Sequence, residues 1–425
     1  MRAASIAWSG AGLLAQPIIA LLALPPLLSS LGSERFGLLS LAWALTVVSG
    51  LFDLGIGRAI TKHIAEQVGR GDLTAAARAL DMATRLSLLT GLLGSAGLLI
   101  VVLAGGHRAI RFDPMLDQEV AWAALVLAAA APLQTLLATY RGASEALQHF
   151  RGLSLARLAL SAASFLAPLA AAQFSTHLVV LVSCLVLARG LACLVFRQLA
   201  WSTLPRPSAR AALVSTEARG LLSAGGWFTV SAVITPFLVQ ADRFFIGALL
   251  SASAVASYVV PFDAVTQLLV CVTAVATVAF PSIAANLQRD PPAARQQFLR
   301  WLRGVGILMA LVCSLTALVL PAALSLWLGA AETAEMASVG RWLCLGVWLN
   351  GMGAMLITWL HASGRIAATA LLHLVELPLY LALLAWLLGS HGVTGAAIAW
   401  VLRVGVDAGA LAWMTLADRT GRAKA

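Results

Sequence analysis

Apolar residues in this chain run in long unbroken stretches. They show neither the three-and-four spacing of a half-exposed helix nor the alternation of a strand. Twelve such runs lie at 6–28, 36–56, 82–103, 120–140, 153–172, 178–199, 225–250, 255–280, 305–326, 342–360, 366–388 and 393–414. Each approaches or exceeds the roughly 20 residues that a bilayer-crossing helix needs. A membrane barrel would alternate apolar and polar residues every second position, so the pattern predicts an all-α polytopic membrane protein with twelve transmembrane helices. The first run is longer than the about 7–15 apolar residues at the heart of a signal peptide and reads as a retained span. One intervening segment is itself patterned. The stretch 58–81, RAITKHIAEQVGRGDLTAAARALD, is spaced as an amphipathic helix and is expected to lie on the inner membrane surface.

The runs fall into two sets of six. The segment 31–72 overlays 250–291 at an offset of 219 residues, with a span end, a small-residue turn, a span and a basic loop in each (Arg70 over Arg289). This predicts a parallel repeat, whose site lies between the halves. The expected organisation is an N-terminal six-helix lobe (1–200), a cytoplasmic linker with Pro205 and Pro207 (201–220), a C-terminal six-helix lobe (221–417) and a cytoplasmic tail (418–425).

Charge settles orientation and removes one class of partner. Sixty per cent of the residues are apolar and only 11% charged, yet the net charge is +10. With the N-terminus inside, 21 of the 28 Lys and Arg fall on the cytoplasmic side, four on the outer side (Arg35, Arg108, Arg111, Arg341) and three deep in spans. Such a bias places both termini in the cytoplasm. The basic excess is thus a topology signal, not a nucleic-acid footprint. The five cysteines sit in apolar runs without metal-binding spacing. No phosphate-binding loop, HExxH or GxSxG occurs, and no expected outer loop is long enough for a catalytic ectodomain. No enzyme active site and no resident cofactor or metal is expected.

The remaining chemistry lies inside the spans. Asp53, Arg189, Asp242, Arg243, Asp263, Glu376, Arg403 and Asp407 are charged, and His373 joins them. Facing lipid, the eight charges would cost about 3 kcal/mol each, roughly 20 kcal/mol together, so they must face an interior. Two readings stay open. Asp242, Arg243 and Asp263 can pin spans seven and eight together, with Arg403 and Asp407, four apart on one helix face, doing likewise in span twelve. Alternatively Arg189, Arg243 and Arg403 line a cationic cavity for an anionic substrate, with Asp242, Asp263, His373, Glu376 and Asp407 serving as ion pairs or as coupling sites for a proton or sodium gradient. Arg189 has no acid within four residues on its own helix and is the first candidate for a ligand contact. Glu376 shares a face with His373 and Tyr380 and precedes Pro378, which favours a kink.

Several segments carry a family resemblance. PPLLSSLGSERFGLLSLAWALTVVSGLFDLGIGRAITKHIAE (25–66), YRGASEALQHFRGLSLAR (140–157) and VQADRFFIGALLSASAVASYVVPFDAV (239–265) resemble Wzx-type oligosaccharide flippases of the MATE-like MOP superfamily. So does WLHASGRIAATALLHLVELPLYLALLAWLLGSHGVTGAAIAWVLRVGVD (359–407), with its Gly-Arg turn, His-x-x-Glu-x-x-x-Tyr helix and intramembrane Arg. Phe52 before Asp53, and Ala256-Ser257-Tyr258, depart from the family pattern. The resemblance implies a V-shaped pair of lobes in the bacterial inner membrane. It implies a flippase that carries undecaprenyl-pyrophosphate-linked oligosaccharide to the outer leaflet, alongside membrane lipid and polysaccharide-assembly proteins. Arg403 and Arg243 would then meet the pyrophosphate or acidic sugars. The rivals are a MATE-type antiporter, disfavoured by three intramembrane arginines, a lipid II flippase, and a membrane polymerase or ligase.

Overall fold

The computed structural model describes residues 2–205, 226–328 and 333–417. The expected tail and all but the first five residues of the expected linker lie outside the described residues. Among the described residues thirteen α-helices follow one another: α1 (Arg2–Val48), α2 (Ile56–Gly69), α3 (Leu73–Leu103), α4 (Asp117–Ala129), α5 (Ala131–Ala146), α6 (Phe150–Ala172), α7 (Leu178–Trp201), α8 (Gly226–Leu249), α9 (Ala252–Thr266), α10 (Leu269–Arg289), α11 (Pro291–Leu328), α12 (Thr333–Ala362) and α13 (Ile366–Ala417). Among the described residues there is no strand. Nine helical stretches among them are long and apolar enough to cross a membrane.

Runs that the sequence separates are joined in two places. The first run and most of the second lie on α1 and the last two on α13, and each helix is broken once by glycine. Gly32 has φ 73° and ψ 167°, and Gly392 has φ 58° and ψ −143°. A side chain makes such backbone costly, whereas glycine adopts it freely. The chain therefore changes direction there with hardly any loop. The run 120–140 is divided into α4 and α5 at Ala130, where Pro132 opens the second helix. Proline lacks the N–H that would continue the ladder of the preceding turn, so a helix boundary here is inexpensive. The run 255–280 divides between α9 and α10.

The segment expected to lie flat on the membrane does something else. Two left-handed residues, Leu54 and Gly55, turn the chain into α2. The Asp53 carboxylate accepts the Gly57 N–H at 3.0 Å, holding the first turn. Helix α2 then buries Ile56, Ile60 and Ile64 against α3 and α5, in one apolar cluster with Leu80, Tyr140 and Phe196. Its exposed face carries Arg58, Lys62 and Glu66. The periodicity was amphipathic, but the apolar face is met by protein, not lipid. The helix ends at Gly69, and from Leu73 onward the same segment belongs to α3, whose Asp72 cap accepts the Ala75 N–H at 2.8 Å.

The chain separates into two compact units, Met1–Gln240 with Ser251–Ser253, and Ala241–Leu250 with Ala254–Ala425. In the first, the carboxylate of Glu119, in the first turn of α4, ties three elements together. It accepts from the Arg35 guanidinium at 3.3 and 3.4 Å and from the Leu178 N–H that opens α7. In the second, an aromatic file runs from Tyr258 to Phe262 (ring centroids 5.4 Å apart) and on to Trp400, edge-on at 5.4 Å. Trp400 in turn lies against Gly346 of α12.

Close helix approach makes two glycines sensitive. A methyl group at Gly142 would meet the Gly57 carbonyl of α2, and one at Gly346 would meet the Trp400 ring. Gly142→Ala and Gly346→Ala are each expected to cost about 1–3 kcal/mol by overpacking. Gly97→Ala, on α3 with nothing within 4 Å, should be neutral or stabilising by about 0.5–1 kcal/mol. Thermal unfolding of the three purified variants checks the ordering.

Candidate functional site

The interior charges form two groups, one in each unit. In the first unit Arg189 reaches from α7 to α1, donating through Nη2 to Thr46 Oγ1 at 2.7 Å. Thr46 in turn donates to the Trp43 carbonyl at 2.6 Å, and its own carbonyl accepts from Gln134 of α5 at 2.7 Å. Trp43 is fixed by a 3.2 Å bond from its ring N–H to the Ser164 carbonyl and by the Phe165 ring, 5.1 Å away. Arg189 is half-buried. Among the described residues no carboxylate pairs with it. A guanidinium held only by neutral oxygens keeps most of its capacity to bind an anion.

The second unit gathers the rest, apart from Asp53 of the first unit, whose carboxylate accepts the Gly57 N–H of α2. Arg243, 6% exposed, donates to Asp263 at 2.7 Å and lies over the Phe262 ring at 5.7 Å. Asp242, its neighbour in sequence and 1% exposed, accepts from the Tyr258 hydroxyl at 2.7 Å. These contacts join α8 to α9. Along α13, Arg403 donates to Glu376 at 2.7 Å and stands over the Tyr380 ring at 5.6 Å, and His373 Nε2 lies 3.5 Å from Asp407 Oδ1. Both contacts cross from one leg of α13 to the other, on either side of Gly392. Asp242 lies close enough to Arg403 and to Tyr380 to interact with each electrostatically, so the two sets are parts of one polar interior. It holds four carboxylates and two guanidiniums.

The sequence names the charged members of this cluster but not the groups that order it. Tyr258, Phe262 and Trp400 read as ordinary span residues, and Thr46 and Gln134 gave no signal. One clue was available. The chain has only three tyrosines, and two of them, Tyr258 and Tyr380, are at most 2% exposed beside interior carboxylates. The pairing expected for Asp242, Arg243 and Asp263 is refined by the geometry, since Arg243 engages Asp263 while the tyrosine takes Asp242. The pair expected within span twelve gives way to contacts with span eleven, Arg403 to Glu376 and Asp407 to His373.

Residues 3–287 match the family model described as "Polysaccharide biosynthesis protein". The chain belongs to that family. Over 411 residues, 96% of either chain, it is 27% identical to a candidate O-antigen transporter of Shigella flexneri. Its fold is that of MOP-superfamily transporters. An inward-facing multidrug-resistance MATE transporter superposes with a TM-score of 0.78, at 16% identity, over 96% of this chain and 98% of its own. A MOP transporter from Pyrococcus furiosus, noted for the reversed polarity of its binding pocket, does so at 0.69, 16% identity, and 97% and 95% coverage. The resemblance to Wzx-type flippases read from the four segments is thereby borne out. The family member described here has the fold of those membrane transporters, with nine helical stretches among its described residues long and apolar enough to cross a membrane.

Pairing makes the arginines differ in what their loss should do. Arg403→Gln strands Glu376 in an apolar interior and is expected to cost on the order of 3–5 kcal/mol, most of it restored by adding Glu376→Gln. Arg189→Ala removes a bond to a neutral oxygen and is expected to cost about 1 kcal/mol. Unfolding of the purified variants measures both; equal losses would contradict the difference in pairing.

Proposed function

We propose that this transporter is a flippase carrying undecaprenyl-pyrophosphate-linked oligosaccharide from the cytoplasmic to the outer leaflet of the bacterial inner membrane, for cell-surface polysaccharide synthesis. Membership of the polysaccharide biosynthesis family across most of the chain supports the substrate class. The observation that carries the site is Arg189, a guanidinium inside the first unit whose partners are neutral oxygens. A pyrophosphate is a dense anion suited to such a donor. Arg243 and Arg403 enter the same reading as lining residues whose charge is shared with Asp263 and Glu376, so they contribute field more than a vacant hydrogen-bonding edge.

The proposed architecture is twelve spans in two six-helix lobes, with both termini cytoplasmic, working by alternating access. The twelve apolar runs and the 21-to-four distribution of basic residues support it, and glycine breaks at 32 and 392 let single long helices serve as span pairs. One-way movement of a bulky anion needs a driving force, for which a proton or sodium gradient is proposed. Polysaccharide-assembly proteins are the proposed partners on either side of the step.

The test is flipping of the lipid-linked oligosaccharide in proteoliposomes. Arg189→Ala should slow it at least about tenfold, the loss of one charge-assisted bond, at normal protein level and fold. Arg189→Lys should retain more activity than Arg189→Ala. Full activity in both variants would remove Arg189 as the anion contact, and a wild-type rate indifferent to pH and to ion gradients would remove the proposed coupling.

A further inference from the structure

One group of side chains in the second unit is left over once the ion pairs are assigned. His373, Glu376 and Asp407 each bring one ligating atom to within 4.8 Å of the other two. Glu376 and Asp407 are both 7% exposed. Glu376 gives Oε1 to Arg403, but its other oxygen, Oε2, is buried with no hydrogen-bond partner. Asp407 Oδ1, the oxygen facing His373, also accepts no hydrogen bond. Buried carboxylate oxygens are costly when unsatisfied, and here two of them border the same imidazole.

Charge points the same way. Asp242, Asp263, Glu376 and Asp407 outnumber Arg243 and Arg403 by two, all within an apolar, membrane-spanning unit. Ionised, these groups leave two negative charges that a divalent cation would balance. The separation also fits. Bonds of about 2.0–2.2 Å to nitrogen and oxygen place neighbouring ligand atoms of a tetrahedral site roughly 3.4 Å apart, and His373 Nε2 and Asp407 Oδ1 are 3.5 Å apart. Gly353 of α12 leaves space beside this carboxylate, since even a Cβ there would lie 3.5 Å from Asp407 Oδ2.

From these residues we propose that His373, Glu376 and Asp407 form a binding site for a divalent metal ion of the zinc or manganese kind. One imidazole nitrogen with two carboxylate oxygens is a donor set for borderline and moderately hard divalent ions, and an imidazole is a poor partner for sodium. The neighbours on every side are consistent with this donor set. Arg403 holds the far oxygen of Glu376, and His361 of α12, bonded to Thr369 at 3.2 Å, is the next titratable group toward the end of that helix. His373 and Glu376 lie on the first leg of α13 and Asp407 on the second, so a bound ion clamps the two legs across Gly392. The role is a fixed brace of the unit, independent of what the protein carries.

Zinc titration of the purified full-length protein in lipid nanodiscs, followed by calorimetry and by the visible absorption of cobalt as a stand-in, tests the site directly. One saturable site is expected, weakened at least about tenfold in His373→Ala and in Asp407→Asn, and unchanged in His391→Ala, whose exposed ring lies at the end of the same first leg. His373→Cys keeps a ligand and should add a thiolate-to-cobalt band in the near ultraviolet that the wild type lacks. Absence of saturable uptake by the folded wild type would overturn the proposal and leave His373 and Asp407 as a contact between the two legs of α13. Unchanged affinity in folded His373→Ala would overturn it too. Because uptake is read without transport, a failure of flipping leaves this result standing, and the reverse also holds.

Discussion

A charge placed in hydrocarbon must be neutralised close by, and this requirement orders the polar interior of the protein. Water is absent as a competing partner, so each guanidinium or carboxylate either finds a counter-charge or retains the capacity to take one. Arg243 with Asp263 joins α8 to α9, and Arg403 with Glu376 joins the two legs of α13. The Tyr258 hydroxyl and the Arg243 backbone N–H donate to Asp242. The aromatic file from Tyr258 through Phe262 to Trp400 packs beside these pairs and walls them from lipid. Arg189 is the exception. Its hydrogen bonds go to a threonine hydroxyl and a helix carbonyl, so the interior of the first unit offers an anion a guanidinium that no described carboxylate takes.

That contrast separates support from binding. A paired charge within a helix bundle specifies which helices meet, and removing one partner penalises the fold. A charge held by neutral oxygens contributes little to the fold and much to any anion that reaches it. The sequence already sets Arg189 apart, since its own helix offers no acid within four residues, but does not rank Arg243 against Arg403. Their surroundings rank them.

Much of this was legible beforehand. The apolar runs give the helices, because a span must satisfy its backbone internally and only continuous apolar sequence tolerates that. Arg189 could be singled out because its own helix offers no acid within reach. The glycine breaks were not legible as such. Gly32 and Gly392 look like ordinary turn residues, and only their positive φ reveals that a helix reverses almost without a loop. The segment after Asp53 misled for a different reason. An amphipathic pattern reports that one face is apolar and is silent about what covers it, and α2 turned out to be covered by α3 and α5. The left-over oxygens of Glu376 and Asp407 were equally out of reach, since they depend on which of two carboxylate atoms the neighbouring arginine takes.

The proposed flippase acts between assembly of a lipid-linked unit inside the membrane and its use outside. The direct measurement of that claim is the leaflet in which lipid-linked oligosaccharide collects when the protein is depleted from its own cell. The account predicts complete units accumulating on the cytoplasmic leaflet, shielded from reagents added outside. Single units already exposed on the outer leaflet, waiting to be joined, would contradict it.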